Sequence, residues 1–130
     1  MIDVNIMPFA KLMGVRLKEA GKDRVVAEIE VRADLCTTNN IMHGGAYMAF
    51  ADTVGAVATV LNLPKGAGTT TIESKTNFLG SVREGETARS ETTPIHIGRT
   101  TQVWQTKIFN PAGKLVAVVT QTQMVLPPKG

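Results

Sequence analysis

The stretch from Gly44 to Leu61 most constrains what this chain can fold into. Its eighteen residues carry a single charged side chain, Asp52, and are crowded with alanine and glycine. A run of this length approaches what a membrane span requires. Against a span stand the mid-run carboxylate, Thr53 and Thr59, and the lack of basic or aromatic anchors at the flanks. A helix that is apolar all round in a soluble protein is one wrapped by other structure. The run therefore reads as a central buried helix that stops near Asn62-Leu63-Pro64 and Gly66.

Most of the remaining residues read as strands. Val25, Ala27, Ile29 and Val31 alternate with Val26, Glu28 and Glu30, the pattern of a half-buried strand. Before it, Met7 to Met13 offers at best a short amphipathic helix. Residues 32–42 are irregular and rich in turn formers. After the helix, Thr69–Leu79 places Ile72, Ser74, Thr76 and Phe78 on one face and Thr71, Glu73, Lys75 and Asn77 on the other. Thr87–Ile97, Thr100–Phe109 and Leu115–Leu126 follow, the last two joined by the hairpin loop Asn110-Pro111-Ala112-Gly113. Short connections favour antiparallel pairing. The expectation is one α+β domain over residues 1–130, an antiparallel sheet curled round the helix. The sheet's other face, rich in Thr, Gln and Ser, has no second helix, and a second subunit is one way to cover it.

Composition narrows the function. Hydrophobic residues make up 43% and charged residues 19%, as in an ordinary globular chain. The net charge of +3 is scattered, and one Trp and one Tyr are too few for a stacking surface, so nucleic acid is not an expected partner. The single Cys36 fits a reducing compartment, and the N-terminus has no apolar run of signal-peptide length, so a cytoplasmic location is expected. No membrane association is expected.

Asp52 is the residue that chemistry singles out. A carboxylate inside an apolar helix costs several kcal/mol to bury unless it is paired or hydrogen-bonded. The residues one turn away, Met48, Ala49, Gly55 and Ala56, provide no partner. Either it caps some other backbone group, or it serves as a nucleophile or general base. His43-Gly44-Gly45 stands at the helix entry, where glycine lets a backbone amide approach a ligand and the helix dipole favours negative charge. Such an amide stabilises an oxyanion. Gly44 and Asp52 lie eight residues apart, about 12 Å along a helix, too far to serve one carbonyl from the same helix. Two antiparallel copies across a dimer interface would bring Asp52 of one beside Gly44 of the other.

His43-Gly44-Gly45 with Asp52, the strand Thr69–Leu79, Gly85, Gly98-Arg99 and Gly113-Lys114-Leu115-Val116-Ala117 resemble the hotdog-fold acyl-CoA thioesterases of the PaaI-like, phenylacetate-pathway type. The resemblance runs from about residue 8 to 126. It implies a hotdog fold, dimers that often pair into tetramers, no metal or redox cofactor, and hydrolysis of an acyl-CoA to acid and CoA. It also implies that the Gly44 amide polarises the thioester carbonyl while Asp52 of the facing subunit attacks it or activates water. Two positions depart from the family pattern or match it loosely. Thr37 stands where an Asn or Gln often lies six residues before the His, with Asn39 and Asn40 as substitutes. Thr71 best matches a strand hydroxyl near the nucleophile. His43 is expected to act mainly through a structural hydrogen bond, with the neighbouring Gly45 amide at the substrate. Phe78, Phe50, Met48 and Val54 are expected to line an acyl pocket, and Arg99, with Lys65, Lys75 and Arg83 behind it, to meet the CoA phosphates. The competing readings are a hotdog hydratase or dehydratase, and an acyl-CoA-binding or regulatory module without turnover. A pure binding module has no reason to bury a carboxylate beside the acyl group.

Overall fold

The computed structural model describes residues 2–129. Helix α1 (Pro8–Met13) leads into strands β1 (Arg16–Ala20) and β2 (Val25–Glu30). The long helix α2 (Gly44–Val60) follows, and β3 (Gly68–Phe78), β4 (Thr87–Ile97), β5 (Thr101–Phe109) and β6 (Leu115–Leu126) complete the chain. The strands form one six-stranded sheet in the order β1-β2-β4-β5-β6-β3, every neighbouring pair antiparallel. The α2 connection carries the chain from β2 across one sheet face to β3 at the far edge, and α2 packs against β2 to β6.

The expected strands all form, and one was missed. β1 reads Arg-Leu-Lys-Glu-Ala, which shows no apolar alternation because it is a short edge strand. Charged edges of this kind deter pairing with other chains. The core lies between α2 and the sheet: Phe50, Val54, Trp104, Ile29, Ile108 and Val119 are fully buried there. Fully burying a side chain of this size stabilises by about 1.5–3 kcal/mol. The Trp104 indole keeps its polar edge satisfied by donating to Gln102 Oε1 at 3.0 Å.

One expectation about the sheet's faces needs correction. The Thr, Gln and Ser residues of the sheet are not confined to its outer face: Ser90, Thr92, Gln102, Thr106, Gln121 and Gln123 are buried. The sheet covers α2 on one side. Its buried residues are Tyr47, Phe50, Ala51, Val54, Gly55, Val57, Ala58 and Thr59. The stripe of Gly45, Met48, Ala49, Asp52, Thr53, Ala56 and Val60 stays wholly or partly open. One sheet covers only one side of a cylinder, and apolar composition alone does not say which chain covers the other. Within the stripe, Thr53 returns its hydroxyl to the Ala49 carbonyl at 2.8 Å, as buried Thr59 does to Gly55, so neither needs an outside partner.

Candidate active site

The entry to α2 is built by its own first residues. His43 is the N-cap, in extended conformation, and its Nδ1 accepts the Gly45 amide at 2.8 Å. A Cβ at Gly45 would lie 3.0 Å from that Nδ1, so glycine lets the imidazole fold back over the helix end. The Gly45 amide, expected at the substrate, is committed to this cap. Among the described residues no hydrogen bond engages the Gly44 amide. Phe78 lies against Gly44, its ring 3.3 Å from where a Cβ would stand, and meets Tyr47 edge-on with centroids 6.0 Å apart.

Two turns further along, Asp52 faces the open stripe. It is half-buried, and its donors come from the sheet. Thr71 of β3 donates to Asp52 Oδ1 at 2.7 Å, and Gln121 of β6 donates its Nε2 to the same oxygen at 3.1 Å. Neither donor is a backbone group, so Asp52 does not cap the main chain. Behind Thr71, Gln123 Nε2 donates to the Thr71 hydroxyl at 2.7 Å, and Thr69 donates to Gln123 Oε1 at 2.9 Å. Asp52 Oδ2 takes no hydrogen bond and is not fully buried, and the residue lines an open cleft.

Simple alternation places Thr71 on the face opposite Ser74 and Thr76, and the structure overturns this. The β3–β6 register slips between Thr71 and Glu73, so Thr71 pairs with Gln123 while Ser74 pairs with Gln121. The extra residue at Ile72 makes a bulge that resets the parity and turns Thr71 toward α2.

A cleft of about 300 Å³ opens at Asp52, lined by Phe9, Met48, Ala49, Thr53, Thr71 and Ser74. Beside it, sharing Phe9 and Ala49, lies a second cleft of about 330 Å³ that reaches Leu12, Leu35, Cys36 and His43. Met48 lines the first cleft as expected, but Phe50 and Val54 lie in the core. Thr37, Asn39 and Asn40 are not brought to either cleft. They form a tight exposed loop in which the Thr37 amide donates to the Ile41 carbonyl at 2.8 Å. Asn39 and Asn40 hold φ of 65° and 56°, a left-handed conformation that asparagine tolerates better than most residues. Arg99 sits exposed in the β4–β5 turn, away from both clefts. Gln121, Gln123, Thr69 and Gly55 were missed. For Gln121 and Gln123 the sequence signal was polar residues at alternate positions of a largely apolar strand; Thr69 and Gly55 carried none. Among the described residues no cluster of His, Cys, Asp and Glu is arranged to hold a metal.

A long helix laid across a six-stranded antiparallel sheet is the hotdog fold, the architecture of a class of thioesterases. Residues 39–117 match the thioesterase superfamily, and the chain belongs to that family. It is thus a thioester hydrolase. It is similar to a Haemophilus influenzae thioesterase of known structure, with 30% identity, a TM-score of 0.85, and coverage of 91% of this chain and 82% of that one. It is 29% identical over 126 residues to the 1,4-dihydroxy-2-naphthoyl-CoA hydrolase of Escherichia coli, covering 95% of this chain and 92% of the relative. The PaaI protein of the Escherichia coli phenylacetic acid degradation operon shares the fold, with a TM-score of 0.86 and 23% identity over 94% of this chain and 86% of that one.

Proposed function

We propose that the protein hydrolyses acyl-CoA thioesters, with Asp52 as the reacting carboxylate and the Gly44 amide of a second copy as the oxyanion donor. One observation carries the reading. Both donors to Asp52 hold Oδ1, which leaves Oδ2 open to the cleft. An oxygen so placed either attacks the thioester carbonyl carbon, releasing the CoA thiolate and leaving an anhydride for water to open, or takes a proton from a water that attacks instead. In both routes the carbonyl oxygen gains charge and needs a donor. The Gly44 amide is free for that role, with His43 serving as the cap that presents it.

Eight residues separate Gly44 from Asp52 on one straight helix, about 12 Å, so the two groups meet at one carbonyl only between copies. The open stripe of α2 fits this, with Met48 40% and Val60 49% exposed. CoA as the leaving group is supported by the relative that carries it in its name. Lys65 and Arg99, at the end where α2 stops, and Arg83, at the other, are the cations for its phosphates.

The test is a panel of aliphatic and aromatic acyl-CoAs with free thiol as the readout, run on wild type and on Asp52→Asn. The substitution keeps shape and polarity but removes the reacting oxygen's charge. The expected result is turnover of at least one thioester, with kcat of the variant lower by about 10²–10⁴-fold and KM little changed. The melting temperature should change little, because the Asn carbonyl can still accept from Thr71 and Gln121. A variant that folds and turns over at the wild-type rate removes Asp52 from the mechanism.

A further inference from the structure

We propose that Gln121 is a positioning residue for Asp52, and that Gly55 stands in α2 to admit its side chain; this rests on the reading of Asp52 above. Gln121 lies in the middle of the sheet, paired with Ser74 of β3 on one side and Trp104 of β5 on the other. Its backbone is therefore held on both edges, and its side chain is 1% exposed. It reaches Asp52 by lying across α2 where Gly55 leaves a gap. A Cβ at Gly55 would stand 2.0 Å from Gln121 Oε1, 2.3 Å from its Cδ and 2.6 Å from its Nε2. No side chain other than hydrogen fits at position 55 while Gln121 holds this pose.

The amide's orientation is set by the carboxylate. Nε2 donates to Asp52 Oδ1, and the other end, Oε1, is buried with no partner. Turning the amide over would bring oxygen against oxygen at Asp52. Buried acceptors are seldom left unpaired in folded proteins, so this one marks a place where the bond to Asp52 outweighs the orphaned oxygen. A second route reaches the same atom, from Thr69 through Gln123 and Thr71. Two donors arriving from different strands fix the carboxylate plane as well as its position. That is how Oδ2 stays aimed into the cleft while the side chain sits on a partly open helix face.

The experiment is a double-substitution cycle on the full chain, using the best substrate of the panel. Gln121→Met keeps the volume and removes the donor. Gln121→Ser makes room, and Gly55→Ala closes the gap. Expected results are kcat lowered about tenfold or more in Gln121→Met and in Gly55→Ala, with KM within about threefold. In Gln121→Met the acid limb of the pH–rate profile should also move, which a loss of stability alone would not cause. Adding Gly55→Ala to Gln121→Ser should cost nothing further, since the clash has gone. A merely structural Gln121 would lower stability without moving the acid limb. Wild-type kcat and an unmoved limb in Gln121→Met overturn the proposal, as do losses that simply multiply in the double variant. Should Gly55→Ala not fold, Gln121→Met and Gln121→Asn, which leave the helix alone, decide by the same two readouts. If Asp52→Asn is inactive while Gln121→Met behaves as wild type, only the positioning role fails. If Asp52→Asn is itself active, the reading of Asp52 fails.

Discussion

Tyr47 is buried beneath Phe78, and its Oη accepts the Val82 amide at 3.0 Å, tying α2 to the segment before β4. Burial pushes the phenol's pKa up from 10.0, the Val82 hydrogen bond opposes this, and Cys36 adds to the rise. The folded state thus favours the neutral phenol more than the unfolded chain does. Its contribution to stability is complete below pH 10 and is lost as pH rises through the raised folded value. Denaturant midpoints should therefore fall across the alkaline range, and this fall should be shallower in Tyr47→Phe. At neutral pH the same substitution should cost about 1–3 kcal/mol, because it leaves the buried Val82 amide without an acceptor. An alkaline limb as steep in Tyr47→Phe as in wild type would assign the effect to another group.

The start of α2 shows how one element divides its amides between structure and chemistry. The Gly45 amide is used by the His43 side chain and the Gly44 amide is not. His43→Ala should remove a cap worth about 1 kcal/mol of stability while leaving the Gly44 amide in place, so turnover should fall far less than in Asp52→Asn. Chemical denaturation and steady-state rates on the same preparation check both halves. A loss in kcat as large as that of Asp52→Asn, with stability unchanged, would give the imidazole a direct part in the reaction. The β3 strand makes a different point about elements. Its face assignments before and after Ile72 obey opposite parities, because one bulged residue shifts the register against β6.

On the scale of the whole molecule, the chain leaves two features unfinished: the open stripe of α2 and the edge of β3, where Ile72, Phe78 and Leu79 are more than half exposed. An unpaired eleven-residue edge strand is a ready template for another chain. The shared-site reading requires that a second copy be present, so sedimentation equilibrium at micromolar concentration should give a mass of at least two chains. A mass of 13.9 kDa would end the shared-site mechanism. Among the described residues no helix is long and apolar enough to cross a membrane.

Local pattern determined a good deal of this protein by itself. The limits of α2, β4 and β6 follow from Gly44, Pro64 and period-two alternation, because apolar periodicity and helix breakers act within a few residues of sequence. The isolated charge at Asp52 and the glycines at 44 and 45 were legible for the same reason: a buried carboxylate and a glycine at a helix start each violate a local rule. Tertiary structure alone decided what answers Asp52. Thr71 and Gln121 lie 19 and 69 residues away in the chain, and they meet it because β6 pairs with β3 and a bulge turns Thr71 inward. Gly55 reads as one more small residue in a helix full of them until the Gln121 side chain is seen crossing it. Such contacts depend on register and on which strands share an edge, and those are settled by packing the whole sheet against one helix, not by any window of residues.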